Sequence, residues 1–222
     1  RRHPLTLAIF DLDNTLLAGD SDHAWGEFLV DAELVDQEHH RQQNDQFYQD
    51  YLNGELDIQR YQRFALSPIA QRELDEVEAW HKAFMERRVK PLYQKKADEL
   101  LEHHRRQGHT LMIITATNRF VTGPIAEAMG IEHLIATEPE IRDGRYTGDI
   151  TGIPSFQDGK VLRLRQWLEE NEGTLEGAWF YSDSHNDLPL LRLVDNPVAV
   201  DPDPTLEQYA REQGWTVMSL RD

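Results

Sequence analysis

Apolar residues along the chain follow two rhythms. Short unbroken runs, Leu5 to Phe10, Thr110 to Ile114, Leu134 to Ala136, Ala178 to Tyr181 and Val198 to Val200, predict strands buried on both faces. Between them apolar positions recur at helical spacing, from Leu92 to Gln107 before Gly108, from Phe120 to Met129 before Gly130, and from Val161 to Glu170. Strands alternating with helices predict an α/β fold built on a doubly wound, mostly parallel sheet. The segment Glu140 to Gly148 reads as a small hairpin turning at Asp143-Gly144.

One interval breaks the alternation. From Leu17 to Pro91 only helical periodicity is present: Trp25, Phe28, Leu29 and Ala32 share a face, as do Phe47, Tyr48, Tyr51 and Leu52. Ile58, Tyr61 and Phe64 follow, then Leu74, Val77, Trp80 and Phe84, with Gly54 and Ser67-Pro68 as breaks. This predicts about four helices inserted after the first strand, with a small core of their own, forming a lid over the sheet. Residues 1–16 and 92–222 are expected to form the main domain and 17–91 the lid.

Composition narrows the function. The chain of 222 residues carries a net charge of −17, which repels nucleic acid and anionic membranes, and also phosphorylated substrates unless a local cation intervenes. It has no cysteine, so no disulfide and no thiol nucleophile. No apolar stretch approaches the roughly 20 residues of a membrane span, and Arg1-Arg2-His3-Pro4 is not followed by a signal-peptide apolar region. A cytoplasmic protein, monomer or homodimer, with a small-molecule partner and neither nucleic acid nor membrane, is expected.

The chemistry gathers where the strands end. The first strand leads into Asp11-Leu12-Asp13-Asn14-Thr15, two carboxylates that are costly to desolvate without a cation or a reaction to use them. In open α/β sheets the crevice beyond the strand ends is where ligands bind. The second strand ends in Thr115-Ala116-Thr117-Asn118 before a helix, which makes either an anion site or a helix cap. A turn at Gln157-Asp158-Gly159 delivers Lys160 to the start of a later helix. The fourth strand ends in Tyr181-Ser182-Asp183-Ser184-His185-Asn186-Asp187, a second carboxylate cluster. A hard divalent cation with oxygen ligands would gather Asp11, Asp183 and Asp187.

These four elements, in this order, resemble the haloacid dehalogenase-like (HAD) superfamily: DxDxT, a Ser/Thr after the second strand, a lysine opening a later helix, and an acidic pair after the fourth strand. The resemblance covers nearly the whole chain. The insertion after the first motif is similar to a type 1 cap, and the chain is most similar to the phosphoserine phosphatase-like branch, which includes bacterial enzymes acting on phosphoserine or histidinol phosphate. One departure is visible. Phosphoserine enzymes of that branch carry GDGxND, whereas this chain has Ser182-Asp183-Ser184-His185-Asn186-Asp187, with both aspartates kept and both glycines replaced.

The resemblance implies a Mg²⁺-dependent phosphomonoesterase of amino-acid biosynthesis. Asp11 would be the nucleophile forming an aspartyl-phosphate, and Asp13 the acid and base. The metal set would be Asp11, Asp13 (through its backbone carbonyl), Asp183 and Asp187. Thr115 and Lys160 would act on the phosphoryl group, with Asp20, Thr115, Ala116, Lys160 and Asn186 binding substrate. The second aspartate separates this chain from dehalogenases, which lack it, and from transport ATPases, which have threonine there. The implied substrate is a small phosphorylated metabolite, histidinol phosphate first and phosphoserine second. A phosphomutase of the same superfamily and a non-catalytic phosphate-binding protein are the alternatives; a folded phosphoprotein would be excluded by the lid.

Three further features are open at this stage. Asp20 would meet a substrate ammonium, or it or Ser21 would cap the first lid helix. Arg60 and Arg63 would meet a substrate carboxylate or face solvent. Of the ten histidines, those in charged helices, such as His39-His40 and His103-His104, are expected on the surface, and His185 near the crevice.

Overall fold

The computed structural model describes residues 5–222; Arg1–Pro4, part of the predicted main domain and the segment read against a signal peptide, lie outside it. Seven strands form one sheet in the order β4-β3-β2-β1-β5-β6-β7. They are β1 (Leu7–Phe10), β2 (Thr110–Asn118), β3 (His133–Arg142), β4 (Arg145–Thr151), β5 (Trp179–Ser182), β6 (Asn196–Val200) and β7 (Thr216–Met218). All pairings are parallel except β3 with β4. The five predicted strands are present. β7 is an addition, too short to show a periodicity. The third predicted strand and the hairpin fuse, since β3 runs unbroken from His133 into the hairpin's first arm. Its turn is at Asp143-Gly144, both in the left-handed region that a two-residue hairpin requires (φ 52 and 76).

β1 sits at the centre, and its alternation serves two cores. Ala8 and Phe10 face one side, with Trp25, Phe84 and Phe120. Leu7 and Ile9 face the other, with Leu164, Phe180 and Leu206. The first side is covered by α5 (Lys95–Arg106) and α6 (Arg119–Ala128). The second is covered by α7 (Asp158–Glu170), α8 (Leu188–Leu191) and α9 (Pro204–Gln213). β1 neighbours both β2 and β5, so the chain order reverses there, the point at which such sheets open a crevice.

The insertion folds as α1 (Ser21–Asp31), α2 (Gln37–Leu52), α3 (Ile58–Leu66) and α4 (Leu74–Phe84). Asp20, Asp36 and Asp57 cap the first three, each accepting backbone N–H bonds. Its packing meets the expectation of a small core of its own only in part. Trp25, Phe28, Leu29, Val77 and Phe84 of α1 and α4 belong to the same apolar cluster as β1 and α6. Only Phe47, Tyr61 and Ala65 of α2 and α3 form a cluster of their own. The outer half of the lid thus rests on far less buried apolar surface than the inner half. No helix among the described residues is long and apolar enough to cross a membrane.

The surface expectation fails for three histidines. His40 is buried and stacks on Phe64, at 4.5 Å between ring centroids. His81 bonds Val121 O at 2.8 Å. His104 is fully buried and bonds the Tyr181 hydroxyl at 2.6 Å. Burial, with His109 and His103 close by, pushes His104 down to about 4. Each lies on the inner face of a helix that also carries several charged residues, so local composition hides it.

Candidate active site

The sheet ladder continues one residue past β1: Asp11 N donates to Tyr181 O at 2.9 Å. This bond fixes Asp11 beside Asp183, the residue that follows β5. After Asp11 the chain turns sharply. Asn14 takes a left-handed conformation (φ 59), which asparagine tolerates, and donates its N–H to Gly19 O at 2.9 Å. The turn brings the start of α1 back over Asp13. Ser21 donates to Asp13 Oδ1 from its backbone N–H at 2.7 Å and its hydroxyl at 2.6 Å. Thr117, at the end of β2, donates to Oδ2 at 2.7 Å. Three donors therefore hold the Asp13 carboxyl in one orientation.

Lys160 enters from the first turn of α7. It is buried, with Nζ 3.2 Å from Asp11 Oδ1 and 2.8 Å from Asp187 Oδ1. Burial alone would discharge the amine, but Asp11 and Asp187 outweigh it and hold it charged. The other Asp187 oxygen takes the Ser182 hydroxyl at 2.5 Å. A close approach sets this geometry: a Cβ on Gly159 would stand 2.1 Å from Pro154 O, so only glycine lets the turn pass. Gln157 has φ 51, rare for a residue with a side chain, and donates Nε2 to Asn186 Oδ1 at 3.0 Å.

The electrostatics are unbalanced. Burial raises Asp11 to about 7; Lys160 opposes the rise, and Asp187 and Asp13 add to it. Burial and the Asp11 charge push Asp183 well above the carboxylate range, against the Thr15 hydroxyl, which donates at 3.1 Å. One buried lysine cannot neutralise the group.

The residues read from the sequence as site residues are largely brought together. Asp11, Asp13, Asp20, Thr115, Ala116, Lys160, Asn186 and Asp187 line one cavity of about 620 Å³, counting its open mouth. Asp183 lies against Asp11, beside Thr15. Among the described residues no group of three or more His, Cys, Asp or Glu stands ready as a cation cage. The Asp13 carboxyl is committed to Ser21 and Thr117, which leaves its backbone carbonyl to offer, and Asp187 is taken by Lys160 and Ser182. Thr115 Oγ1 accepts from Thr117 N at 3.2 Å, and Ala116 O accepts from Gln62 and Thr137. Asn118, not Thr115 or Thr117, caps α6.

The open readings divide. Asp20 caps α1, its Oδ1 accepting from Asp22 N and His23 N at 2.9 Å, yet it also lines the cavity. Arg60 and Arg63 do not line it. Arg60 lies 5.8 Å over the Phe47 ring and Arg63 is 3.6 Å from Asp149. His185 pairs with Asp203 at 2.8 Å and touches the lid at Gly54, where a Cβ would stand 2.8 Å from Nε2. Asn186 reaches the lid too, through Tyr51 O at 3.4 Å.

Sequence reasoning missed the lid's contribution. Asp22, Tyr48, Tyr51, Tyr61 and Gln62 all line the cavity. Burial raises Asp22 to about 7, with the Tyr61 hydroxyl opposing and Asp13 adding to it. The one available signal was the Asp20-Ser21-Asp22 sequence, a second carboxylate at a helix start, where only the first was weighed.

Comparison with known proteins identifies the family. The family model described as haloacid dehalogenase-like hydrolase matches residues 8–192. The chain is 45% identical over 219 residues to a histidinol-phosphatase of Neisseria meningitidis, covering 97% of this chain and 99% of the relative. It is 29% identical to phosphoserine phosphatase SerB1 of Mycobacterium tuberculosis, covering 100% of this chain and 74% of that one. A Bordetella pertussis protein of unknown function superposes with a TM-score of 0.91 at 43% identity, covering 98% and 100% of the two chains. A substrate-bound phosphoserine phosphatase shares the fold alone, with a TM-score of 0.71 at 16% identity over 99% and 95% of the chains. The chain belongs to the haloacid dehalogenase-like hydrolases.

Proposed function

We propose that this HAD-type phosphatase hydrolyses a small phosphate monoester through an aspartyl-phosphate on Asp11, with Mg²⁺ as its cation. L-Histidinol phosphate is the proposed substrate and O-phosphoserine the second choice, following the names of the relatives. The observation that carries the reading is the buried Lys160 between Asp11 and Asp187, beside an oriented Asp13 in the same cavity.

The chain's residues divide the work. Lys160 and Thr115 hold the phosphoryl oxygens and meet the charge that grows on them. An Asp11 oxygen attacks phosphorus while the bond to the ester oxygen breaks. Asp13 gives its proton to that departing oxygen and then takes one from water. The water oxygen attacks phosphorus, the Asp11–phosphorus bond breaks, and inorganic phosphate leaves.

The donor set suits a hard divalent ion. It is all oxygen, and burial pushes both Asp11 and Asp183 upward, so such an ion would favour the charged carboxylates that burial opposes. Asp11, Asp183 and the Asp13 carbonyl would hold it, with Asp187 close to Asp11, and when bound it supplies charge against the phosphoryl oxygens. Phosphate release from histidinol phosphate and phosphoserine, with Mg²⁺ and with EDTA, tests the reading. Release that EDTA leaves undiminished contradicts the metal's part in it.

A further inference from the structure

Two buried acceptors in the cavity have no partner. Asp22 and Gln62 line it at 7% and 0% exposure, and neither Asp22 Oδ1 nor Gln62 Oε1 accepts a hydrogen bond. Buried acceptors left unpaired are rare and costly. The two come from different elements, the first turn of α1 and the middle of α3. Gln62 is anchored, because its Nε2 donates to Ala116 O at 3.0 Å, which leaves Oε1 over. The α1 N-terminus favours charge on Asp22 but gives Oδ1 no donor.

The rest of the lid end fits the same ligand. Its walls are apolar or aromatic, with Phe47, Tyr48, Leu56 and Ile58 among them. Among the described residues no free cation faces it. Arg60 and Arg63 point away, and Lys160 is engaged at the phosphate end. His23 lines the cavity, but Nδ1 is 3.0 Å from Asn44 Nδ2 and Nε2 faces Glu27 and Asp45. A substrate carboxylate would meet two unpaired acceptors and no free cation among the described residues, whereas an N–H group would satisfy those acceptors.

We infer that the lid end of the cavity, with Asp22 and Gln62 as specificity residues, selects phosphate esters whose other end is a flat ring bearing N–H and no free carboxylate. This deepens the phosphomonoesterase reading and rests on it. It also ranks the two substrate candidates: an imidazole-bearing amino alcohol phosphate fits, and an amino-acid phosphate with its carboxylate does not.

Matched substrates test it. L-Histidinol phosphate and L-phenylalaninol phosphate differ in ring N–H; O-phosphoethanolamine and O-phosphoserine differ by one carboxylate. The wild type should favour the first of each pair in kcat/KM by about 10- to 100-fold, the scale of a hydrogen bond to a charged group. Asp22→Asn and Gln62→Leu should each shrink the histidinol to phenylalaninol ratio mainly through KM, while Arg60→Ala should keep it. Equal rates within the ring pair, a preference for phosphoserine, or a ratio unchanged in both folded variants overturns the inference. p-Nitrophenyl phosphate separates the failures. If it is cleaved without those preferences, only the inference falls; if no ester is cleaved, the phosphatase reading falls with it.

Discussion

The Thr117 hydroxyl donates to Asp13 Oδ2 at 2.7 Å, joining the end of β2 to the turn after β1. The two residues are 104 positions apart, so the orientation of the proposed acid depends on a strand formed much later in the chain. With Ser21 on the other oxygen, the carboxyl has little freedom to rotate.

Asp13→Asn should therefore slow alkyl phosphates by about 10²–10⁴-fold, the usual scale of general acid–base help. p-Nitrophenyl phosphate, whose leaving oxygen hardly needs a proton, should lose much less. Thr117→Val should show the same selectivity at smaller amplitude, because it frees the carboxyl without removing it. Steady-state kinetics on both esters check this, and equal losses on both would make Asp13 structural.

Gly159→Ala should be harmful beyond its size. The new Cβ would meet a backbone oxygen, Pro154 O at 2.1 Å, which cannot move aside as a flexible side chain can. Overpacking of this kind costs about 1–3 kcal/mol. Because the turn carries Lys160, kcat should fall along with the melting temperature. Thermal unfolding and kinetics on one sample would show both, and a variant with the wild-type values of each would contradict the role given to the turn.

Much of this was legible in the sequence, and the limits have physical causes. Asp11, Thr115, Lys160 and Asp187 announce themselves because each ends or begins an element whose periodicity is plain, and the sheet brings such ends together. Asp22 and Gln62 sit inside helices, where a polar residue usually faces solvent. Their burial depends on how α1 and α3 close over β2, which no local pattern encodes. The same holds for His104, hidden in a helix otherwise rich in charge, and for Trp25 and Phe84, whose helical stripes do not say that they join the main core.

Asp22 should also leave a mark on stability. Its folded value of about 7 lies above the ordinary 3.8, so between these pH values the folded state holds a proton that the unfolded state has lost. Its contribution is complete below about pH 4 and is lost as pH rises through 7, with a slope of at most about 1.4 kcal/mol per pH unit. His104, lowered to about 4, works oppositely: its contribution is lost as pH falls below 6.5. The difference between wild type and Asp22→Asn in denaturant titrations from pH 4 to 8 isolates the first effect. The variant should gain stability relative to wild type as pH rises across that range, and a constant difference would contradict the burial argument.

The central claim is that Asp11 takes up the phosphoryl group. The most direct measurement is an acid quench of the enzyme during turnover, with Mg²⁺ and substrate present, followed by peptide mapping for a phosphoryl adduct. The account predicts an acid-stable, hydroxylamine-labile adduct on the peptide containing Asp11, absent in Asp11→Asn, which should be folded and without turnover. An Asp11→Asn enzyme that still releases phosphate, or an adduct on a different residue, would contradict it.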